Sequence, residues 1–374
     1  MNAAEASRRV RERALDLGFT TVGIAAVGPS PRRDFLRSWI GEGRHGEMAY
    51  MARDPERRSD PRRVLPGARS AVCVTLDYLP IAAAGSAGPG LTAHVSTYAR
   101  GRDYHDVMGP PLRDLLEFLR AETGGSVDGR AYVDTGPILE RELAAAAGLG
   151  WVGKNTQLLH ERGSWFFLGE ILVDVELVPD PPVADRCGSC TACLDACPTG
   201  ALLEGYLLDA RRCISYLNIE LKGAIPPSQR ADLGEHLYGC DICQEVCPWN
   251  RRAVPAGRPE FTPRAELRSL TLAELLALDP QAYARSFRGS PMKRARRRGL
   301  LRNAAVVLAN QGSRDAAAAL RRSLRVEPEP LVRSHAAWGL GRLGGQAARA
   351  ELERSRREDP DEAVREEAEA ALER

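Results

Sequence analysis

No apolar run in this 374-residue chain approaches the roughly 20 residues that a membrane-spanning helix requires. Its first twenty residues, MNAAEASRRVRERALDLGFT, hold no apolar core of signal-peptide length and read as a charged amphipathic helix. Neither sign of charge dominates. With 52 Lys and Arg against 50 Asp and Glu, the net charge is +2, so any contact with nucleic acid must come from a local patch. The six histidines include no recognised metal-ligand pair. What remains, 44% hydrophobic and 27% charged, is the composition of a soluble globular protein long enough for two or three domains.

Cysteine is where the sequence speaks. Cys187-Gly-Ser-Cys190-Thr-Ala-Cys193-Leu-Asp-Ala-Cys197-Pro198 is C-x2-C-x2-C-x3-C-P, and Cys240-Asp-Ile-Cys243-Gln-Glu-Val-Cys247-Pro248 repeats it without its first cysteine. Cys213, between the runs, supplies the eighth thiol. Zinc knuckles need neither a third cysteine nor a trailing proline, and disulfide frameworks belong to short secreted chains. Two [4Fe–4S] clusters account for the spacing. The cysteine before proline ligates the other cluster in the bacterial ferredoxin pattern. Cys187, Cys190, Cys193 and Cys247 are therefore expected on one cluster, and Cys197, Cys213, Cys240 and Cys243 on the other. Free thiols and low-potential clusters imply a reducing, cytoplasmic setting. The ninth cysteine, Cys73, lies in the apolar run Ala71-Val72-Cys73-Val74 and is expected as a buried strand residue.

Ahead of the clusters, helices are expected at 5–17, 107–123 and 138–147, and strands at 19–27, 70–76, 131–133 and 166–177. A flexible loop is expected at 80–90, and the turn Asp134-Thr-Gly-Pro137 separates the third strand from the third helix. The alternation predicts helices layered on one sheet over residues 1–178. Gly148 to Lys154 fits both G-x-G-x-x-G and G-x4-G-K by letter. Nucleotide loops follow a strand and this one follows a helix, so its glycines are expected to end that helix. A proline-rich linker opens a cluster domain at 179–260. Beyond it, 261–374 turn to Ala, Leu, Arg and Glu with a period of about 32 residues: Ala304–Leu308 aligns with Ala336–Leu340, and Val332-Arg333 with Val364-Arg365. Stacked helix pairs of HEAT-like kind are predicted, against the alternative of a plain bundle.

With these motifs in hand, the chain resembles the epoxyqueuosine reductases of tRNA modification along nearly its whole length. The resemblance rests on Asp54-Pro-Glu-Arg-Arg58, Leu65-Pro-Gly-Ala-Arg-Ser70, Tyr98–His105, Val133-Asp-Thr-Gly-Pro137, Gly150–Thr156, Gly163–Glu170 and Cys213–Glu220, besides the cysteine runs. It implies an α+β multi-domain fold: an N-terminal α/β cobalamin-binding domain, a ferredoxin-like domain with two [4Fe–4S] clusters, and C-terminal helical HEAT-like repeats. It implies cobalamin beside the clusters and reduction of the epoxide of epoxyqueuosine, in tRNA, to the alkene of queuosine. Opening that epoxide takes two electrons and two protons, and oxygen leaves as water.

The resemblance makes Asp134 the proposed general acid near cobalamin, where burial would raise its pKa. On the residues alone it could instead cap the helix at 138–147. Cobalamin contacts implied are Arg57, Thr97, Asp134, Leu158, Gly169, Ser215 and Lys222, with Thr97 at a position usually bulkier or more polar in the family. Unaided, Arg57 reads as a solvated arginine, Leu158 as core and Gly169 as a turn. Lys293, Arg294, Arg297 and Arg298, with Arg285 and Arg302 nearby, read alone as a solvated helix face. Beside a repeat domain on an RNA-modifying enzyme, they read as a phosphate track for the anticodon stem-loop. A monomer drawing electrons from a flavodoxin or ferredoxin is expected. Rival readings are a corrinoid reductive dehalogenase of small molecules and an iron–sulfur electron carrier without a substrate.

Overall fold

The computed structural model of the chain describes residues 2–81, 92–125, 127–313 and 315–373. The loop expected at 80–90 lies almost wholly outside them. Two compact units emerge. The first comprises 1–82, 102–211 and 242–262, and the second 83–101, 212–241 and 263–374. These units follow packing, whereas the divisions near 178 and 260 follow composition.

In the first unit, α1 (Ala3–Asp16) begins at Asn2, whose side chain accepts the Glu5 N–H, and buries Val10 and Ala14. There follow β1 (Thr21–Ala26), β2 (Ser70–Asp77), α2 (Tyr104–Glu122), β3 (Gly129–Tyr132), α3 (Glu140–Ala146) and β4 (Phe166–Val173). The sheet order is β1-β2-β4-β3. The expected layering is present, but every pairing is antiparallel. β2 is buried along nearly its whole length because helices cover both faces of the sheet: α1 and α2 on one, α3 on the other. Along β4 the side chains alternate. A Cβ at Gly169 would meet Met108, Leu112 and Val74 at 3.2–3.3 Å on the α2 side. Leu168 and Leu172 lie on the α3 side with Cys73, Ile138, Leu143 and Ala144. Cys73 is fully buried, as expected.

The glycines after α3 end that helix and turn the chain, as expected. Gly150 has φ +151°, and a Cβ there would stand 2.0 Å from the Leu159 carbonyl oxygen, so only glycine permits the turn. It leads into a two-residue ladder, Trp151–Val152 against Leu158–Leu159.

In the second unit, α4 (Arg296–Gln311), α5 (Ala316–Val326), α6 (Pro330–Leu343), α7 (Gln346–Glu358) and α8 (Glu362–Leu372) form the predicted stack. Both aligned segments, 304–308 and 336–340, are buried in α4 and α6. α4 packs on α6 and α6 on α8. At Gly341 a Cβ would stand 2.7 Å from that of Ala371, which is how α6 and α8 come so close. Helix α4 also holds the segment that carries Cys213. Arg302, 1% exposed, donates to the carbonyls of Leu217, Leu221 and Gly223 at 2.7–3.0 Å, and Asn303 donates to those of Asn218 and Leu237. Buried His335 accepts the Ile225 N–H on Nε2 and faces the Leu331 carbonyl with Nδ1, the pattern of a neutral ring. Among the described residues, no helix is long and apolar enough to cross a membrane.

Candidate functional site

Asp134 stands two residues beyond β3 in a left-handed conformation, φ +60°, uncommon for a residue with a side chain. The turn is braced on both sides. Thr135 N–H donates to the Val133 carbonyl at 2.6 Å, and Arg58 donates to the carbonyls of Gly136 and Ile138. Helix α3 starts only at Glu140, with Leu139 at its cap, so Asp134 does not cap it. Its carboxylate instead points outward, 60% exposed, and its Oδ2 accepts the Tyr104 hydroxyl at 2.8 Å. The burial expected around this acid is thus not provided by the chain alone.

Tyr104 lies flat on Phe167, centroids 4.3 Å apart and planes 9° apart, and Phe167 in turn packs on Phe261. The next residue, His105, stacks on Tyr104 at 4.2 Å. Its Nδ1 is 2.6 Å from Oδ1 of Asp103, which is itself buried, and its Nε2 is 3.7 Å from Asp134 Oδ2. Burial pulls the imidazole pKa down, but the carboxylates of Asp103 and Asp134 on its two sides outweigh it and hold the ring up at about 9.

Behind the turn, two carboxyl groups share an apolar wall. Glu170 is completely buried on β4, opposite Cys73 and Tyr132, and neither of its oxygens meets a donor among the described residues. It faces Glu140, the first residue of α3. Two carboxylates cannot both ionise there; a proton on one lets the pair share a hydrogen bond. Burial, then the charge on Glu140, drives Glu170 well above its ordinary range, and burial, then Asp134, pushes Glu140 up to about 7. A carboxyl raised by folding contributes most below its unfolded pKa and loses that contribution as pH rises toward the folded value. Glu170→Gln should accordingly raise the melting temperature at pH 8 while changing it little at pH 5, read by thermal melts of the holoprotein.

The first cysteine cluster assembles within the first unit. Burial pushes the Cys193 thiol up, and the neighbouring thiols of Cys187, Cys247 and Cys190 add to that rise. Cys197 Sγ accepts the Ala201 N–H at 3.3 Å, the kind of donor that steadies a metal-bound thiolate. None of the nine cysteines forms a disulfide. Cys197 and Cys243 belong to the first unit, and Cys213 and Cys240 to the second. Such a thiol set fits iron–sulfur clusters.

The residues implied for cobalamin occupy varied settings. Arg57 Nε is buried without a hydrogen-bond partner among the described residues, an orphaned donor that a propionamide or phosphate oxygen would satisfy. Leu158 is 3% exposed in the core and paired with Val152, and Gly169 is in mid-strand, paired with Val74, rather than in a turn. In the second unit, Thr97 N–H donates to Asp241 at 2.7 Å, and Ser215 precedes a π-helical turn, Tyr216–Glu220. Burial lowers the Lys222 pKa. The orphaned Arg57 donor and the open Asp134 carboxylate fit a large cofactor that brings its own polar groups.

The basic stretch divides in two. Arg285, Lys293, Arg294 and Arg298 are exposed, with Arg294 paired to Glu220 at 2.9 Å and Arg298 donating to the Lys222 carbonyl. Arg297 is not a free phosphate ligand: it grips Glu327 with two bonds at 2.6 and 2.8 Å and donates to the Leu278 carbonyl. Arg302, also expected on this surface, is the buried clamp described above. The helix turns every fourth residue inward, and sequence spacing in a run of arginines hides which one that is.

Family models match three stretches: epoxyqueuosine reductase QueG, DUF1730, over 58–135; a 4Fe-4S double cluster binding domain over 186–250; and HEAT repeats over 293–373. The epoxyqueuosine reductase of Pseudomonas aeruginosa is 44% identical over 343 residues, covering 91% of this chain and 95% of that protein. The chain belongs to the epoxyqueuosine reductases. An epoxyqueuosine reductase crystallised with an epoxyqueuosine-modified tRNA-Tyr stem loop is 32% identical, with a TM-score of 0.92 over 100% of this chain and 99% of that one. The Bacillus subtilis epoxyqueuosine reductase, with its Asp134 catalytic loop swung out of the active site, is 31% identical, with a TM-score of 0.91 and the same coverage.

For an epoxyqueuosine reductase of this sequence, motif reading missed several supports. Lys154, the lysine of the apparent nucleotide loop, donates to the carbonyls of Gly188 and Cys190 at 2.6 and 3.0 Å, holding the first cysteine run. Its neighbour Asn155 donates to the Cys243 carbonyl at 3.1 Å, in the second run. The signal was present in the failed motif: a Gly-Lys-Asn turn without its strand needs another task for its polar ends.

Proposed function

We propose that this protein reduces the epoxide of epoxyqueuosine in tRNA to the alkene of queuosine, using cobalamin and two [4Fe–4S] clusters fed by a flavodoxin or ferredoxin in the cytoplasm. The observation that carries the reading is the likeness, along the whole chain, to an enzyme solved with that modified stem loop. Cobalamin, when bound, would accept electrons singly and present a reduced metal to the epoxide. Arg57, Thr97, Asp134, Leu158, Gly169, Ser215 and Lys222 would hold it. Asp134 supplies a proton to the departing oxygen, and the Tyr104 hydroxyl, locked by its stack on Phe167, sets the direction of that carboxyl group. The backbone strain at Asp134 aims the group away from the sheet, where a substrate can reach it.

The test is a cobalamin-reconstituted assay on epoxyqueuosine-containing tRNA, read by nucleoside mass spectrometry. Formation of queuosine is expected; an unchanged epoxide with clusters and cobalamin loaded overturns the reading.

The RNA surface is tested apart from chemistry. Reversing exposed Arg285, Lys293 and Arg298 to Glu should weaken tRNA binding and flatten its salt dependence by about 0.7 to 0.9 in slope for each phosphate no longer neutralised. Iron content and helix content should stay unchanged. Arg297→Glu belongs in a different class: it strands Glu327, 5% exposed, beside a second negative charge and should cost about 3–5 kcal/mol in stability. If the triple variant binds tRNA like wild type at several salt concentrations, these residues form only a solvated face.

A further inference from the structure

The reaction consumes two protons, and a single carboxylic acid carries one. Both C–O bonds of the epoxide break, a C=C bond forms, two electrons arrive from the low-potential donor, and oxygen leaves as water. Something must reload Asp134 between the first protonation, which opens the ring, and the second, which releases water.

We propose that His105 is the proton donor to Asp134, with Asp103 holding its ring in the doubly protonated form. The proposal rests on Asp134 as the acid. The geometry is a line of three groups: Asp103 Oδ1, then His105 Nδ1 at 2.6 Å, then His105 Nε2 facing Asp134 Oδ2 at 3.7 Å. Each ring nitrogen faces a carboxyl group; once Asp134 has spent its proton both neighbours are carboxylates, which only accept, and both nitrogens then carry hydrogen. Nε2 is buried and makes no hydrogen bond among the described residues. Its gap to Asp134 is within what a small side-chain rotation or one water closes, the looseness usual before substrate binds.

The groups around the ring leave it no other task. Its titratable neighbours are Asp103 and Tyr104 from α2 and Asp134 from the turn after β3. Asp103 also accepts the His105 backbone N–H as the cap of α2, so the carboxylate that charges the ring is anchored to the same helix end. Tyr104, stacked between His105 and Phe167, fixes the ring plane. Proton transfer from imidazolium to a carboxylate is unfavourable at rest. It is drawn forward only as Asp134 passes that proton on to the departing oxygen, which as an alkoxide is a far stronger base than either group. With the ring held protonated to about 9, His105 stays loaded throughout the neutral range.

His105→Phe keeps the ring stack and removes the proton. In the holoenzyme it should lower kcat about 10²-fold, leave KM for tRNA within a few-fold, and erase the alkaline fall of kcat near pH 9. Added imidazole should restore turnover to His105→Gly, a rescue that a merely structural role would not show. A separate readout uses wild-type protein: the His105 resonances should titrate near 9, and in Asp103→Asn well below that. The relay is overturned if the wild-type ring titrates near the ordinary 6.5, or if His105→Phe keeps the wild-type rate and pH profile. In that second case an inactive Asp134→Asn still leaves Asp134 as the acid, so the two readings fail separately. A His105→Phe protein that does not fold leaves the titration to decide.

Discussion

Asp134→Asn should retain both clusters and bound cobalamin yet turn over about 10²- to 10⁴-fold more slowly, the usual worth of a positioned general acid. The substitution is well suited to the question. Asparagine tolerates the left-handed backbone found at this position, φ +60°, better than most residues, so the turn should survive. Its amide oxygen can still accept the Tyr104 hydroxyl that Asp134 accepts at 2.8 Å. Arg58 continues to brace the carbonyls of Gly136 and Ile138. Shape, then, is conserved and the transferable proton is not. The measurement is single-turnover conversion of epoxyqueuosine in tRNA with the iron and corrin absorbance recorded on the same samples. A variant working within a few-fold of wild type would make Asp134 structural and place the donor elsewhere.

Cys213→Ala is expected to halve the iron, from about eight to about four per chain, although Cys213 lies outside both cysteine runs. Its backbone does not depend on the thiol. The Cys213 carbonyl accepts the Leu217 N–H at 3.0 Å, and the following π-helical turn hangs from Arg302 and Asn303. Alanine should therefore leave the segment in place and remove one ligand of the set Cys197, Cys213, Cys240 and Cys243. Cys73→Ala is the control, a buried strand residue whose loss should not alter iron. Iron analysis and low-temperature EPR of the reduced protein read both. Full iron in Cys213→Ala would overturn the ligand assignment.

The elements around the site were largely legible. Strand and helix periodicity located β1, β2, α2, α3 and β4 to within a few residues, and the 32-residue period found the stack of α4, α6 and α8. Strand direction was not legible, because alternation of helices and strands looks the same whether a crossover returns parallel or antiparallel. The burial of β2 on both faces deepens the ambiguity, since its apolar run matches what parallel strands show. At the site, Asp134 could be singled out from its turn, but Tyr104 and His105 as its partners could not. They lie some thirty positions earlier, and only the pairing of β3 with β4 and the packing of α2 on that sheet bring them there.

By itself the sequence determined the cysteine grammar, the repeat and the family, because ligand spacing, helical period and motif identity are local properties that survive without a fold. Tertiary structure alone decided which charged residues are available. Arg297 and Arg302 sit in the same run as exposed Arg294 and Arg298, yet one grips Glu327 and the other is sunk among carbonyls. Glu170 and Glu140, thirty positions apart, share one buried wall, and Asp103, His105 and Asp134 fall into line. Charge, burial and proton affinity depend on what is near in space, and the linear order of residues carries that only through the fold.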